Sequence, residues 1–296
     1  MAGGQERVLR RRIKSVQATR KITKAMELIA ASQIGRSQAR IAANRPYRAG
    51  MRRIVVEAAL GDPSAAAKLL SLPEKVTSTV VLVVAGDRGL SGPYNSTVLR
   101  TAERLVRDLR SQGSAVRLFT VGKKAAPFFR FRGLDVEHSW QGFADRPAFG
   151  DARQIAAGVV APFLTGEAQR VLLVSTRFRS AGVQEVTTEQ LLPLVVDESV
   201  RPVTPGLHGY TEFEPDVEQL LTRLAPTALE SEIFTALLEG AASFHTSQQR
   251  AMAAATENAD ELSRNLTRIM NQARQDSITT EIMEIVGGAE ALRSGK

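Results

Sequence analysis

The stretch that decides the architecture begins Thr227-Ala228-Leu229-Glu230-Ser231-Glu232-Ile233-Phe234-Thr235-Ala236-Leu237-Leu238-Glu239-Gly240 and runs on to Leu292 without a proline. Glycine interrupts it only at Gly240, Gly287 and Gly288. This composition predicts a single helix. At the α-helical rise it would extend roughly 100 Å. A compact fold of this chain length has a radius of gyration of about 19 Å, so the helix must leave the globular body. Its apolar seam reads Leu262, Leu266, Ile269, Ala273 and, after a five-residue step, Ile278, Ile282, Ile285, Ala289. Between His245 and Glu261 the seam thins to Ala, Ser, Thr and Gln, which predicts a slim shaft.

A second helical arm lies at the other end. Residues 5–60 repeat apolar side chains at Leu9, Ile13 and Val16 and again at Ile22, Met26 and Ile29, with a slip in register between the two sets. Pro46 removes a backbone donor inside this arm, which leaves two readings, a pair of helices or one long bent helix. Pro226 is expected to interrupt the C-terminal arm.

Between the arms the pattern alternates. Strands are predicted at Thr79–Ala85, Val116–Val121, Asp135–His138, Arg170–Thr176 and Val186–Val195, and helices at Ser96–Gln112, Lys123–Arg132 and Phe149–Leu164. Alternation of this kind predicts a mostly parallel sheet with helices on its faces. The fold class is therefore α/β, with a long antiparallel coiled coil of the N- and C-terminal helices flanking a Rossmann-like domain. The expected boundaries are 1–60 for the N-terminal coiled-coil helix, 75–200 for the α/β domain and 210–296 for the C-terminal coiled-coil helix. Wrapping the two arms around each other is the simplest way to bury both seams.

Charge is unevenly distributed over the 296 residues. The net charge is +8, yet residues 1–60 hold fourteen Lys and Arg against three acids, a net of +11, so the rest carries −3. The basic arm calls for an acidic partner. Cysteine is absent, which removes disulfide and thiolate chemistry. No apolar run approaches bilayer-spanning length. Arg10-Arg11-Arg12 has the flavour of a transit peptide, but the basic pattern continues past Arg53, and the N-terminus reads as mature protein.

Catalytic candidates are sparse. Gly86-Asp87-Arg88-Gly89-Leu90-Ser91-Gly92 sits between a strand and a helix, where a phosphate loop would lie. It lacks both the Walker ending and the G-x-G-x-x-G spacing, and a tight turn fixed by Asp87 and Arg88 is the plainer reading. Ser91 lacks a nucleophile-elbow context. His138, His208 and His245 have no ligand spacing, and the acidic pairs Asp197-Glu198, Glu212/Glu214 and Glu281/Glu284 have no catalytic companions. No metal, cofactor or small-molecule substrate is expected. Two further classes stay open on these residues: a nucleotide-binding α/β enzyme with helical extensions, and a basic coiled coil on nucleic acid. The arm has Tyr47 as its one stacking aromatic, which disfavours the latter.

Three blocks carry a resemblance. Ile278-Thr279-Thr280-Glu281-Ile282-Met283-Glu284-Ile285-Val286-Gly287-Gly288-Ala289-Glu290-Ala291 forms the first, and Arg12–Gln17 with Lys21–Ser32 forms the second. Asp87-Arg88-Gly89-Leu90-Ser91-Gly92 followed by Asn95 forms the third. In this order they resemble the gamma subunits of bacterial F-type ATP synthases. Many relatives carry Cys where this chain has Ser91, and Gly or Ala where it has Pro93.

The resemblance implies a central rotor shaft that couples proton-driven rotation of a membrane c-ring to conformational cycling of catalytic beta subunits, itself non-catalytic. The implied partners are the alpha and beta subunits, the epsilon subunit and the c-ring, with no nucleic acid. The implied location is peripheral, on the cytoplasmic side of a bacterial cell membrane. By the same resemblance Lys21, Lys24, Met26, Arg274, Gln275 and Thr279 face the beta subunits. Ile282, Ile285, Ala289 and Leu292 turn in an apolar apical bearing. Glu214 touches the c-ring, and Asp87, Arg88, Gly89 and Gly92 form a turn of the foot domain.

Overall fold

In a computed structural model, residues 2–62, 73–194 and 216–294 are described. They fall into two compact units, one of residues 30–248 and one joining residues 1–29 to 249–296.

The larger unit is built on a five-stranded sheet. Its strands are β1 (Ser78–Val84), β2 (Ala115–Val121), β3 (His138–Trp140), β4 (Arg170–Phe178) and β5 (Gln184–Leu192), in the order β3-β2-β1-β4-β5. β1 pairs in parallel with β2 and β4, and β2 with β3. β5 closes the edge antiparallel to β4. The run Val80-Val81-Leu82-Val83-Val84 is buried on both faces, as a central parallel strand requires. β5 reads Gln-Glu-Val-Thr-Thr-Glu-Gln over 184–190, polar enough to stand at an edge.

Helices α2 (Tyr94–Ser111) and α3 (Ala125–Phe131) cover one face through Val98, Ala102, Val106 and Phe129. Helix α4 (Phe149–Leu164) covers the other through Ile155 and Val159, together with Leu229, Ile233 and Leu237 of α5 (Val217–Ser294).

Most elements lie where the pattern places them, and α4 has the predicted ends. β3 is displaced from 135–138 to His138–Trp140, where Trp140 stacks on Phe119 at 6.1 Å. Helix α1 (Ala2–Gly61) runs uninterrupted through Pro46. Pro226 likewise lies inside α5 and does not break it. The reason is packing. Leu221 and Ala228 on either side of Pro226 are buried against Val55, Ala58 and Ala59 of α1, and this contact outweighs one missing backbone bond. Farther along the same pair, Asn44 donates to Thr235 Oγ1 at 2.8 Å and Arg48 pairs with Glu232 at 2.6 Å.

The smaller unit is an antiparallel pair formed by the start of α1 and the end of α5; its seam keeps Leu9, Ile13, Val16, Leu266 and Ala273 of the expected one, and the other positions differ. On α1 the least exposed positions are Leu9, Ile13, Val16, Thr23 and Glu27, and in the larger unit the same 4-3 spacing continues as Ala30, Ile34, Ser37 and Ile41. The register does not slip: Arg20 fills the missing step and pairs with Asp260 of α5. Ile22 and Ile29, expected in the seam, are 61% exposed. On α5 the seam runs Met252, Thr256, Ala259, Ser263, Leu266, Met270, Ala273 and Ser277, whereas Leu262, Ile269, Ile278, Ile282 and Ile285 face outward. At its middle the seam is polar, with Thr23 Oγ1 and Thr256 Oγ1 bonded at 2.8 Å. Apolar periodicity tracked the outer face there because the inner face is made of small and polar residues.

Candidate functional site

The turn after β1 is organised by one carboxylate. Asp87 Oδ1 accepts the backbone N–H groups of Lys123 at 3.0 Å and Gly142 at 2.9 Å, and Oδ2 accepts that of Ala144 at 2.9 Å. A single side chain thereby ties together the loops that follow β1, β2 and β3. Asn95, the second residue of α2, takes the N–H of Gly86 at 2.8 Å and donates to Arg88 O at 2.9 Å. Arg88 pairs with Asp145 at 3.0 Å. The loop needs left-handed backbone at Leu90 and Gly92, with φ of 61° and 53°. Nearby Gly122 has φ +94°, and a Cβ there would lie 2.3 Å from Ala85 O, so glycine is obligatory.

This turn stands at the carboxyl ends of β1 and β4, where the strand order reverses and an open α/β sheet commonly receives its ligand. Here the place is filled by the protein itself. Asp87 takes up backbone N–H donors of the loops after β2 and β3. Helix α5 crosses the same spot. Gly240 lets it approach, since a Cβ would lie 3.2 Å from the Tyr94 hydroxyl and 3.5 Å from Val84. Phe244, 2% exposed, packs edge-on against Tyr94 at 5.6 Å and lies over Gly86. Ser247 Oγ donates to Ser91 O at 2.8 Å. Burial holds the Tyr94 hydroxyl far above its ordinary pKa, so it stays neutral.

His245 completes the seat. Its Nε2–H donates to Asp145 O at 3.2 Å, and the Gln248 side chain also interacts with the ring. Burial lowers the His245 pKa, against the pull of Asp145, and burial raises that of Asp145 despite Arg88. Sequence reasoning read His245 as an isolated histidine and missed Phe244 and Ser247. Gly240, a glycine within a long helix, was the available signal.

In the smaller unit the expected partner-facing residues form two bands. Lys21 is exposed, Lys24 pairs with Glu27 at 3.0 Å, and Met26 is half-buried. Arg274, Gln275 and Thr279 are all exposed on α5. Lys24 lies beside Thr256, Asp260 and Arg264. Thr256 and Arg274 are separated by about 27 Å of helix, so the two bands do not merge into one patch. Past Ser277, residues 278–290 are exposed throughout, including Ile282 at 56%, Met283 at 68% and Ile285 at 71%. Ala289 is exposed too. The Leu292 side chain, Glu214 and His208 lie outside the described residues.

Among the described residues no helix is long and apolar enough to cross a membrane. The profile of the ATP synthase family matches residues 5–292. The chain is 44% identical over 296 residues to the ATP synthase gamma chain of Parafrankia sp. (strain EAN1pec), covering 99% of each. It is 45% identical to that of Kineococcus radiotolerans, covering 98% of each. Among solved structures it resembles a chain of the Tetrahymena thermophila mitochondrial ATP synthase central stalk and c-ring assembly, with TM-score 0.62 and 26% identity over 79% of this chain and 99% of that one. A chain of the Euglena gracilis mitochondrial ATP synthase shares the fold, with TM-score 0.66 at 18% identity over 99% of this chain and 96% of that one. By the match over residues 5–292 and the full-length likeness to these gamma chains, the chain belongs to the ATP synthase gamma-chain family.

Proposed function

We propose that this chain is the rotating shaft of an F-type ATP synthase, passing torque from a membrane c-ring to the catalytic beta subunits and performing no chemistry itself. The observation that carries the reading is the outward apolar surface of the smaller unit: Ile22, Ile29, Ile282 and Ile285 are all more than half exposed. Such a surface calls for a sleeve.

Within that sleeve Ile282, Ile285, Ala289 and Leu292 form the apolar bearing. Lys21, Lys24 and Met26 form one beta-facing band, and Arg274, Gln275 and Thr279 a second, making charge-assisted bonds to acidic loops. The shaft is asymmetric about its axis, so each catalytic subunit meets a different surface as it turns. That difference in contacts changes the relative free energies of open and closed beta conformations. The larger unit with the epsilon subunit forms the foot, and Glu214 meets the c-ring, on the cytoplasmic face of the membrane.

The plugged crevice supports the non-catalytic part. With Asp87 on the loop donors and Phe244 over Gly86, no cradle is left for a nucleotide. Co-expression with alpha and beta subunits tests the whole reading. The chain should co-purify with both and be required for ATP-driven proton pumping. Purification of a stable alpha–beta–epsilon assembly that pumps protons without this chain would sink it. Stoichiometric ATP binding by the isolated chain would sink the non-catalytic part.

A further inference from the structure

The outer face of the α2–α3 layer is a basic island in a region whose overall charge is negative. Along α2, Arg100, Arg104, Arg107 and Arg110 face solvent, and Arg130 and Arg132 continue the surface at the end of α3. Glu103 is shared by Arg107 at 3.7 Å and Arg132 at 2.9 Å. Arg100, Arg104, Arg110 and Arg130 form no ion pair among the described residues. Arg107, Arg110 and Arg132 border a shallow groove of about 240 Å³ between α2 and the end of α3.

Between Arg130 and Arg132 at the end of α3 stands Phe131, 88% exposed, the most exposed large apolar side chain among the described residues. Neither the sheet core nor the shaft uses it. An exposed aromatic ring on a layer that carries several exposed arginines is suited to an interface, where the ring enters the apolar boundary and the cations hold anionic headgroups.

The position of the island agrees. Arg110 closes α2 just before β2 begins at Ala115, and Ala115 pairs with Ser78, the first residue of β1. Leu192, the last residue of β5, pairs with Val171 at the start of β4. The Arg110 end of the island therefore lies at the same end of the sheet at which the chain leaves β5, and its Arg100 end lies toward the seat of Gly240 and Phe244.

We propose that this face docks on an anionic lipid surface, with Phe131 as the inserted anchor and Arg104, Arg110 and Arg130 on phosphate groups. The choice of lipid over other polyanions rests on the reading of the larger unit as a foot standing close to the membrane.

The test places a reporter at the anchor of the full chain by Phe131→Trp, with the parent protein run in parallel to subtract Trp140. Vesicles of phosphatidylglycerol with brominated acyl chains should quench the added emission, whereas brominated phosphatidylcholine should not. Half-molar salt should reverse the quenching. Replacing Arg104 and Arg110 with Gln should lower partitioning measured at this reporter by roughly thirtyfold. If the chain pellets with anionic vesicles but the reporter is unquenched, the basic N-terminal arm is the binding element and the proposal falls. It falls equally if the reporter stays dark to lipid and responds instead to an added subunit, which would make the island a protein interface. Either failure leaves co-purification with alpha and beta untouched, so the lipid proposal and the rotor reading fail separately.

Discussion

Replacing Phe244 with alanine should remove a large share of the stability of the central unit and leave the rest of the molecule alone. The ring is 2% exposed, contacts Gly86 and meets Tyr94 edge-on. A buried phenyl group removes on the order of 150 Å² of apolar surface from water, which at about 25 cal/mol per Å² is about 4 kcal/mol. The aromatic pair adds about 1 kcal/mol, and partial collapse of the site takes some back, so a loss of about 3–5 kcal/mol is expected. Trp140 is the single tryptophan and packs on the sheet core, so its emission reports this unit selectively. In a urea titration followed at Trp140, the midpoint should fall by about 1.5 M. Phe131→Ala, at a position 88% exposed, should change stability by less than about 0.5 kcal/mol. A loss below about 1 kcal/mol for Phe244→Ala would show that α5 is not held by this seat, and the account of the plugged crevice would fail with it.

Deleting residues 278–296 should leave the Trp140 unfolding transition in place while abolishing coupling in the assembled complex, because residues 278–290 are exposed and touch no core. A lowered Trp140 midpoint would contradict this. Asp87→Ala should cost about 2 kcal/mol by orphaning three backbone donors. Asp87→Asn should cost less, since its carbonyl can keep part of the set, and equal losses would show that the carboxylate does not organise the three loops. His245 is held neutral by burial, below its ordinary value of 6.5. The unfolded chain therefore binds the proton first, and stability should fall as pH drops from 6.5 toward the folded value. Asp145, raised above 3.8, has the opposite sign in a lower window. Urea midpoints at pH 7.5 and 5.5 should differ more for the parent than for His245→Gln, and equal differences would refute the assignment.

The central sheet was readable because its local signals agree. Val80–Val84 is an unbroken apolar run and Gly113 marks a turn with φ +82°, so β1, α2 and β2 could be bounded from the pattern. The helix pair was readable as a pair but not in its facing. A heptad that places Thr23, Glu27, Ser37, Thr256 and Ser263 inward beside Ile13 and Leu266 cannot be completed by following Ile and Leu alone, since Ile22, Ile29, Leu262 and Ile269 sit outside. Pro226 misled for a related reason, since local propensity does not register the packing of Leu221 and Ala228 on α1. The seat of α5 joins Gly86 and Tyr94 to Gly240 and Phe244, residues some 150 positions apart, and no local pattern connects them. What sequence could offer was the anomaly of Gly240 inside a helix.

The reversed facing of the helix pair also bears on the life of the chain before assembly. An unassembled copy displays Ile22, Leu28, Ile29, Ile282 and Val286 to solvent, each more than half exposed. Those side chains are the kind of surface that chaperones and proteases bind. On the proposed reading, a copy made in excess of its sleeve would be open to removal through the same residues that serve it once sheathed, and its abundance would follow that of its partners.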